Sequence, residues 1–240
     1  MSGYNNDLLK AALNKLSIEY DDKAIEKVDI FYKMLIEKNK VMNLTSITDH
    51  DDFITKHIID SLLPACHISF NDRQAVIDVG TGAGFPGIPL KIFFPNLNIT
   101  LLDSLNKRLL FINDVIKALD LNDIKTVHGR AEDIAKNQEY REKYDTGVSR
   151  AVAGMSSLSE LCIPFIKKDG KFVFYKSKES DNEINESVKA VEILGGKIQD
   201  IFNVDLYGTN IVRKIVVVKK IKNTPNKYPR KAGTPLRDPL

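Results

Sequence analysis

Glycines and carboxylates that suit nucleotide chemistry concentrate in one string, DVGTGAGFPG, which begins at Asp78. Three of its glycines, Gly82, Gly84 and Gly87, have GxGxxG spacing, which lets backbone N–H groups and a helix N-terminus approach a ligand closely. Asp103 follows Gly82 by about 20 residues, the spacing of an acid that holds ribose hydroxyls. Together these residues predict a site for an adenosine-containing ligand.

The acid before the glycines distinguishes between two adenosine-containing ligands, a dinucleotide and S-adenosylmethionine. The string also fits D-x-G-x-G-x-G through Asp78, Gly80, Gly82 and Gly84. A dinucleotide has no group that needs an acid at position 78, whereas the α-amino group of S-adenosylmethionine benefits from a nearby carboxylate. The pattern therefore favours S-adenosylmethionine. A nicotinamide-dependent oxidoreductase is the alternative enzyme, although the sequence has no evident hydride-transfer residues.

Helix and strand patterns alternate on both sides of the glycine string. The apolar run AVIDV at 75–79 predicts a buried strand that ends at the glycines, and Pro86 to Phe94 predicts the helix that follows. This alternation predicts a doubly wound parallel sheet with the site at the carboxyl ends of its strands. Further strands are predicted at 98–103, 125–129, 145–151 and 171–177, and further helices from Ser104, from Glu132 to about Lys143, at 156–166 and at 182–194.

The two ends of the chain differ from this alternation. After Gly195 and Gly196, the strands KIQDIFNVDL and RKIVVVKKIK are separated by a short loop, which predicts an antiparallel pair at the edge of the sheet. Apolar residues at helical spacing fill the first 63 residues, and Asp51 or Asp52 is predicted to cap the third helix. The sequence therefore predicts an α/β protein: a helical cap at 1–63 and a Rossmann-like domain with a basic C-terminal tail at 64–240.

Composition excludes several other classes of protein. Apolar residues make up 43% of the 240 residues, which suits a globular core and excludes a disordered chain. No apolar run is long enough to cross a membrane, the N-terminus has no signal-like core, and two cysteines cannot form a disulfide framework. The four histidines, at 50, 57, 67 and 128, lack metal-ligand spacing, so no metal site is expected. We expect a cytoplasmic protein without a membrane partner.

The net charge of +3 is unevenly distributed along the chain. From Arg213 onwards nine Lys and Arg face a single acid, Asp238, so this segment carries +8 and the preceding 212 residues carry −5. Basic blocks of this kind often contact phosphates, although a solvated tail is the simpler explanation of any one of them. A non-catalytic RNA-binding module that uses only this tail is therefore a third hypothesis.

Several longer strings carry a family resemblance. They are DVGTGAGFPGIPL, LLDSLNKRLLFIN, HGRAED, SRAV and YPRKAGTPLRDPL, with NKVMNLTSI and KHIIDSLL in the cap. From about Asn39 to Leu240 the chain resembles the ribosomal RNA small subunit methyltransferase G family, also called glucose-inhibited division protein B. The resemblance implies a class I S-adenosylmethionine-dependent methyltransferase that methylates guanine N7 in 16S ribosomal RNA, either as free RNA or in the small ribosomal subunit. We expect it to be a monomer.

The resemblance also implies roles for individual residues. Asp103 is expected beside the ribose, Ala131 and Glu132 near the adenine, and Arg150 between the cofactor and the target base. At the position of Phe85, family members often have Leu, so this chain departs there from the family's pattern. The expected cofactor contacts are Gly80, Gly82, Phe85, Asp103, Ala131, Glu132 and Arg150.

The chemistry of guanine N7 decides what else is needed. N7 carries a free lone pair, so methyl transfer to it requires in-line positioning and no general base. Arg150 could donate to guanine O6 or to a phosphate. Tyr175 and Lys176, at the end of the fifth predicted strand, could meet a base and a phosphate, or serve packing and solvation. His57 and Asp60, three residues apart on a helix, could pair with each other or contact the substrate. The expected RNA contacts are Lys176, Arg230, Lys231 and Arg237.

Overall fold

A seven-stranded sheet organises the protein in the computed structural model, which describes residues 4–150 and 153–240. The strand order is β3-β2-β1-β4-β5-β7-β6; β1 to β5 pair in parallel, and β7 is antiparallel to both β5 and β6. The predicted parallel sheet with an antiparallel edge pair is therefore confirmed. The strands are β1 Ala75–Val79, β2 Asn98–Asp103, β3 Ile124–His128, β4 Tyr144–Ser149, β5 Ile166–Ser177, β6 Gly196–Asp205 and β7 Val212–Lys220.

Helices cover both faces of this sheet. The third helical region is irregular, because a π-helical turn, Ile54–Ile59, lies between two short α-helices, His50–Phe53 and Asp60–Leu62. Turns of 3-10 helix, Leu63–Cys66 and Ile163–Phe165, follow the α-helices that end at Leu62 and Cys162. The α-helices are α1 Asp7–Lys15, α2 Asp22–Met42, α3 His50–Phe53, α4 Asp60–Leu62, α5 Gly87–Phe93, α6 Asn106–Ala118, α7 Ala131–Ile134, α8 Met155–Cys162, α9 Asp181–Ile193 and α10 Thr234–Arg237.

The N-terminal helices share a hydrophobic core with one face of the sheet. Leu13, Phe31 and Phe53 are fully buried in the same cluster as Val148 of β4. The ring of Phe31 also lies 5.2 Å from the ring of Phe85, centroid to centroid. The helical cap is thus packed directly against the glycine string, and its existence as a separate domain at 1–63 stays a prediction.

Several predicted helix boundaries are wrong, and long-range contacts explain the largest error. The helix expected from Glu132 to about Lys143 ends at Ile134. Beyond it the buried guanidinium of Arg141 donates to the carbonyls of Ala135, Thr224 and Tyr228, at 2.8 to 3.1 Å. These bonds hold the segment in a non-helical conformation, because an α-helix would turn Arg141 away from partners more than 80 residues distant.

Two predicted caps are also wrong. The third helix is capped by Asp49, whose side chain accepts from the N–H of Asp52 at 3.0 Å, rather than by Asp51 or Asp52. Ser104 does not cap α6, since the flanking residue is Leu105 and it makes no side-chain cap. Residues 151 and 152, the end of the fourth predicted strand and of the SRAV string, lie outside the described residues.

The basic C-terminal part of the chain is bound to the rest of the protein. Four of its nine Lys and Arg form ion pairs with acids elsewhere in the chain: Arg213 with Asp60, Lys214 with Asp181, Lys220 with Glu142 and Arg230 with Glu160. The +8 therefore overstates the charge that this part offers to a ligand. Within residues 4–150 and 153–240, no helix combines the length and the apolarity that crossing a membrane requires.

Candidate cofactor crevice and arginine pocket

The glycine string forms a loop at the carboxyl end of β1. Gly80, Gly82 and Gly84 have φ angles of +75°, +63° and +103°, a region that L side chains rarely adopt. The N–H of Gly82 donates to Oδ2 of Asp103 at 2.9 Å. A Cβ on Gly82 would meet no atom within 4 Å, so this glycine faces open space. The loop thus exposes backbone at the sheet edge where the sequence predicts the ligand.

Asp78 holds this loop from beneath. The carboxylate is fully buried, and its Oδ2 accepts from Thr81 Oγ1 at 2.7 Å and from the N–H of Gly87 at 2.8 Å. Burial raises the pKa of Asp78 to about 7. Its Oδ1 has no hydrogen-bond partner among the described residues. One oxygen therefore fixes the loop, and only the other is available for the amino group that the sequence assigned to Asp78.

A cavity of about 330 Å³ opens at the ends of β2 and β3. Four of the predicted cofactor residues line it, namely Gly80, Asp103, Ala131 and Glu132. The structure brings these four together although they lie at the ends of three different strands: Gly80 follows β1, Asp103 ends β2, and Ala131 and Glu132 begin the helix after β3. The other lining residues are Leu102, Ser104, Leu105, Gly129, Arg130, Leu161, Gly233 and Leu236.

The polar groups of this cavity fit an adenosine. Asp103 accepts from Gly82 N–H through Oδ2 and from Leu105 N–H, at 2.8 Å, through Oδ1. Since a carboxylate has about four acceptor sites, these bonds orient Asp103 and leave capacity for ribose hydroxyls. Glu132 is 6% exposed, and its Oε1 accepts from the N–H of Gly233 at 2.8 Å. The two acids are therefore held in place by backbone groups before any ligand arrives.

Arg150 lies in a different cluster, between the sheet and the cap. Its Nη1 donates to the carbonyl of Lys56 and to Oδ2 of Asp60, both at 3.0 Å, and its Nη2 lies 3.0 Å from Nδ1 of His57. Its guanidinium carbon is 5.2 Å from the ring centroid of Phe85. Two predicted site residues, Arg150 and Phe85, are thus in contact with each other. Phe85 is buried, and it lines neither the 330 Å³ cavity nor the separate cavity beside Arg150.

The neighbouring imidazole of His57 is neutral. Its ring stacks on Phe85 with centroids 4.2 Å apart, and burial, aided by the charge of Arg150, lowers its pKa to about 3. Because a guanidinium can only donate, Nδ1 of His57 accepts and its Nε2–H donates to Thr45 Oγ1 at 2.9 Å. His57 therefore orients Arg150 and cannot take up a proton near neutral pH.

Asp60 joins two arginines at this pocket. Its carboxylate is 1% exposed and binds Arg150 through Oδ2 and Nε of Arg213 through Oδ1, the latter at 2.7 Å. Arg150, Arg213 and Asp60 line a cavity of about 620 Å³, together with Lys176. The sequence marked the spacing of His57 and Asp60 but missed Arg213, which nothing distinguished from the other basic residues near the C-terminus. We call this cavity the arginine pocket.

The remaining predicted residues occupy varied positions. Tyr175 is buried and its hydroxyl donates to the carbonyl of Ser61 at 2.7 Å, and it lines the arginine pocket. Nζ of Lys176 donates to Glu183 at 2.6 Å, at the edge of the arginine pocket. The guanidinium of Arg230 binds the fully buried carboxylate of Glu160. Lys231 and Arg237 are exposed, and their RNA contacts stay predictions.

Comparison with known sequences identifies the family. The GidB family model, described as rRNA small subunit methyltransferase G, matches residues 24–211. The chain belongs to this family. The Ribosomal RNA small subunit methyltransferase G of Acetivibrio thermocellus is 49% identical over 233 residues, which cover 97% of this chain and 96% of that protein. The protein of the same name from Lachnoclostridium phytofermentans is 45% identical over 236 residues, 98% of each chain.

Comparison with solved structures supports the same fold class. The crystal structure of M. jannaschii TYW2 in complex with AdoMet superposes with a TM-score of 0.56, covering 73% of this chain and 80% of that one at 15% identity. At this identity the likeness concerns the fold alone. Together with membership of the GidB family, it confirms the predicted class I methyltransferase fold.

Proposed function

We propose that the protein transfers a methyl group from S-adenosylmethionine to N7 of a guanine in 16S ribosomal RNA. The observation that carries this proposal is the 330 Å³ cavity, which gathers Gly80, Asp103, Ala131 and Glu132 in a member of the rRNA small subunit methyltransferase G family. A nicotinamide-dependent oxidoreductase would need the same loop and acid. Membership of a methyltransferase family and the acid at position 78 favour the methyl donor.

S-adenosylmethionine, when bound, supplies an electrophilic methyl group on its sulfonium. The residues of this chain would bind and orient it. Asp103 would accept from the ribose hydroxyls, and Ala131 and Glu132 would lie beside the adenine. The open space at Gly82 would let the ligand approach the backbone, and Oδ1 of Asp78, which has no partner among the described residues, would accept from its amino group directly or through water.

The arginine pocket would hold the target guanine. N7 needs no proton removed. His57 is neutral and both of its ring nitrogens are engaged in hydrogen bonds, which is consistent with a site that contains no general base. Arg150 would donate to O6 of the guanine while Asp60 and His57 keep its guanidinium fixed. Holding donor and acceptor in line contributes roughly 7–11 kcal/mol to the lowering of the barrier in favourable cases.

The four predicted RNA-contact residues differ in how free their charges are. Lys231 and Arg237 are free to approach backbone phosphates, whereas Lys176 and Arg230 would first have to share their charge with Glu183 and Glu160. Because one chain supplies both cavities, we propose that it acts as a monomer, in the cytosol, on free 16S RNA or on the small subunit. Sedimentation of the purified protein checks the first of these statements.

The decisive experiment measures both cofactor and product. Purified protein is incubated with 16S RNA, or with small subunits, and S-adenosylmethionine; nuclease digests are then examined for 7-methylguanosine by mass spectrometry. We expect the product with wild-type protein and its loss with Asp103→Ala. Binding of NADH and not of S-adenosylmethionine in a calorimeter would refute the proposal and favour the oxidoreductase.

A further inference from the structure

The last twenty residues form a structured segment, which we call the C-terminal segment, residues 221–240. Arg141 binds the carbonyls of Thr224 and Tyr228, and Arg230 binds Glu160 through Nε and Nη2 at 2.7 to 3.0 Å. Ser157 Oγ donates to the carbonyl of Pro235 at 2.7 Å. Buried side chains of the sheet domain therefore fix the path of this segment.

This path brings the C-terminal segment to the cofactor cavity. Gly233 and Leu236 line the 330 Å³ cavity with Gly80, Asp103 and Ala131. The bond from Gly233 N–H to Glu132 joins the segment to a predicted adenine residue. The cavity thus has a wall that the glycine string and the strand ends do not supply.

Two exposed leucines mark the apolar surface of this cavity. Leu236 of α10 is 56% exposed and Leu105, which precedes α6, is 42% exposed. Few large apolar side chains of the described chain are so open, and these two line the same cavity. Exposed apolar area is unfavourable in water, and a planar aromatic ligand with two apolar faces would cover it.

We propose that the C-terminal segment is a wall of the cofactor site and that Leu236, with Leu105, packs on the adenine ring of S-adenosylmethionine. The proposal rests on the function proposed above and adds a specificity-determining residue to it. Glu132 has a second role in this arrangement, because its bond to Gly233 sets the position of α10 beside the adenine. Arg230, one basic residue of this segment, serves its anchoring through the ion pair with Glu160.

Calorimetry on the full chain tests this assignment with two ligands, S-adenosylhomocysteine and 5′-methylthioadenosine. Leu236→Ala should weaken the binding of both about five- to tenfold, since the lost contact is with the adenosine that they share. Leu236→Met should restore most of the affinity. The matched control is Ile221→Ala, which removes a side chain of the same segment that is 48% exposed and lies outside the cavity. This control should bind both ligands like the wild type.

Three results would overturn the assignment. They are wild-type affinity in Leu236→Ala, equal losses in Leu236→Ala and Ile221→Ala, and a loss confined to S-adenosylhomocysteine, which would place Leu236 at the amino-acid end. A wild-type protein that binds neither ligand would instead refute the proposed function itself. The two ideas therefore fail in different measurements.

Discussion

At Gly87 the close packing of the site leaves no room for a side chain. Gly87 begins α5, and a Cβ at this position would lie within 3.0 Å of both Leu101 Cδ2 and Asp78 Oδ2. Both neighbours are 0% exposed, and Asp78 already accepts from Gly87 N–H, so neither side chain can move aside freely. Overpacking of a closed core costs about 1–3 kcal/mol, and we expect Gly87→Ala to cost about 3 kcal/mol.

Thermal and urea unfolding measure this cost. For a chain of this length, a loss of 3 kcal/mol corresponds to a fall in Tm of about 6–12 °C. Gly154→Ala is the matched control, because a Cβ there meets nothing within 4 Å and its φ is −58°. Since Gly154 flanks α8, its replacement should cost less than about 1 kcal/mol. If Gly87→Ala and Gly154→Ala unfold at the same temperature, the close packing of α5 on the sheet is not what requires glycine.

Four further predictions concern side chains. Arg150→Lys should lower the single-turnover methylation rate about 10²-fold, because an ammonium lacks the planar set of donors with which the guanidinium binds His57 and Asp60 at the same time. Wild-type protein should lose up to about 1.4 kcal/mol of unfolding free energy per pH unit, relative to His57→Asn, as pH falls from 6.5 towards 3. Arg230→Ala should lower the unfolding free energy by about 3 kcal/mol, because the buried carboxylate of Glu160 would lose its guanidinium partner and keep only the backbone N–H of residue 230. Lys231→Ala should leave the unfolding free energy unchanged and reduce the salt slope of RNA binding by about 1.

The sign of the pH effect follows from the direction of the shift. The folded protein holds the pKa of His57 below its ordinary value, so the unfolded chain binds the proton first. The contribution of neutral His57 to the free energy of unfolding is therefore complete above about pH 6.5 and declines as the pH falls. Parallel urea titrations of the two proteins between pH 7 and pH 4 would contradict this account if their difference stayed constant. Likewise, an Arg150→Lys enzyme with the wild-type rate would remove Arg150 from target positioning.

The succession of strands and helices along the chain, and the antiparallel edge pair, could be predicted because local signals carry them. The glycine string, the apolar runs and the short loop before β7 each lie within a few residues of the element that they define. Gly80 and Asp103 are expected at this edge from the glycine pattern and its spacing, whereas Ala131 and Glu132 are expected there from the family resemblance; all four line one cavity, because the carboxyl ends of parallel strands meet at one edge.

What could not be predicted depends on partners distant in sequence. Asp60 binds Arg213 across 153 residues, and Arg230 binds Glu160 across 70. A sum of charges over the C-terminal residues treats all nine as available, whereas in the fold Arg213 and Arg230 neutralise the buried acids Asp60 and Glu160. Removing the chain from Ile221 onwards would therefore disturb the fold, which is why substitution of Lys231 is the better test of RNA binding.

The π-helical turn at Ile54–Ile59 has a consequence for how the family can change by insertion and deletion. A π-helical turn holds one residue more than the α-helical turn that it replaces. His57 lies within it and Asp60 follows it immediately. Each residue of an α-helix rotates the chain by about 100°, so a deletion here would swing Asp60 away from Arg150 and Arg213. A related chain one residue shorter in this stretch would have to find another anion for its two arginines.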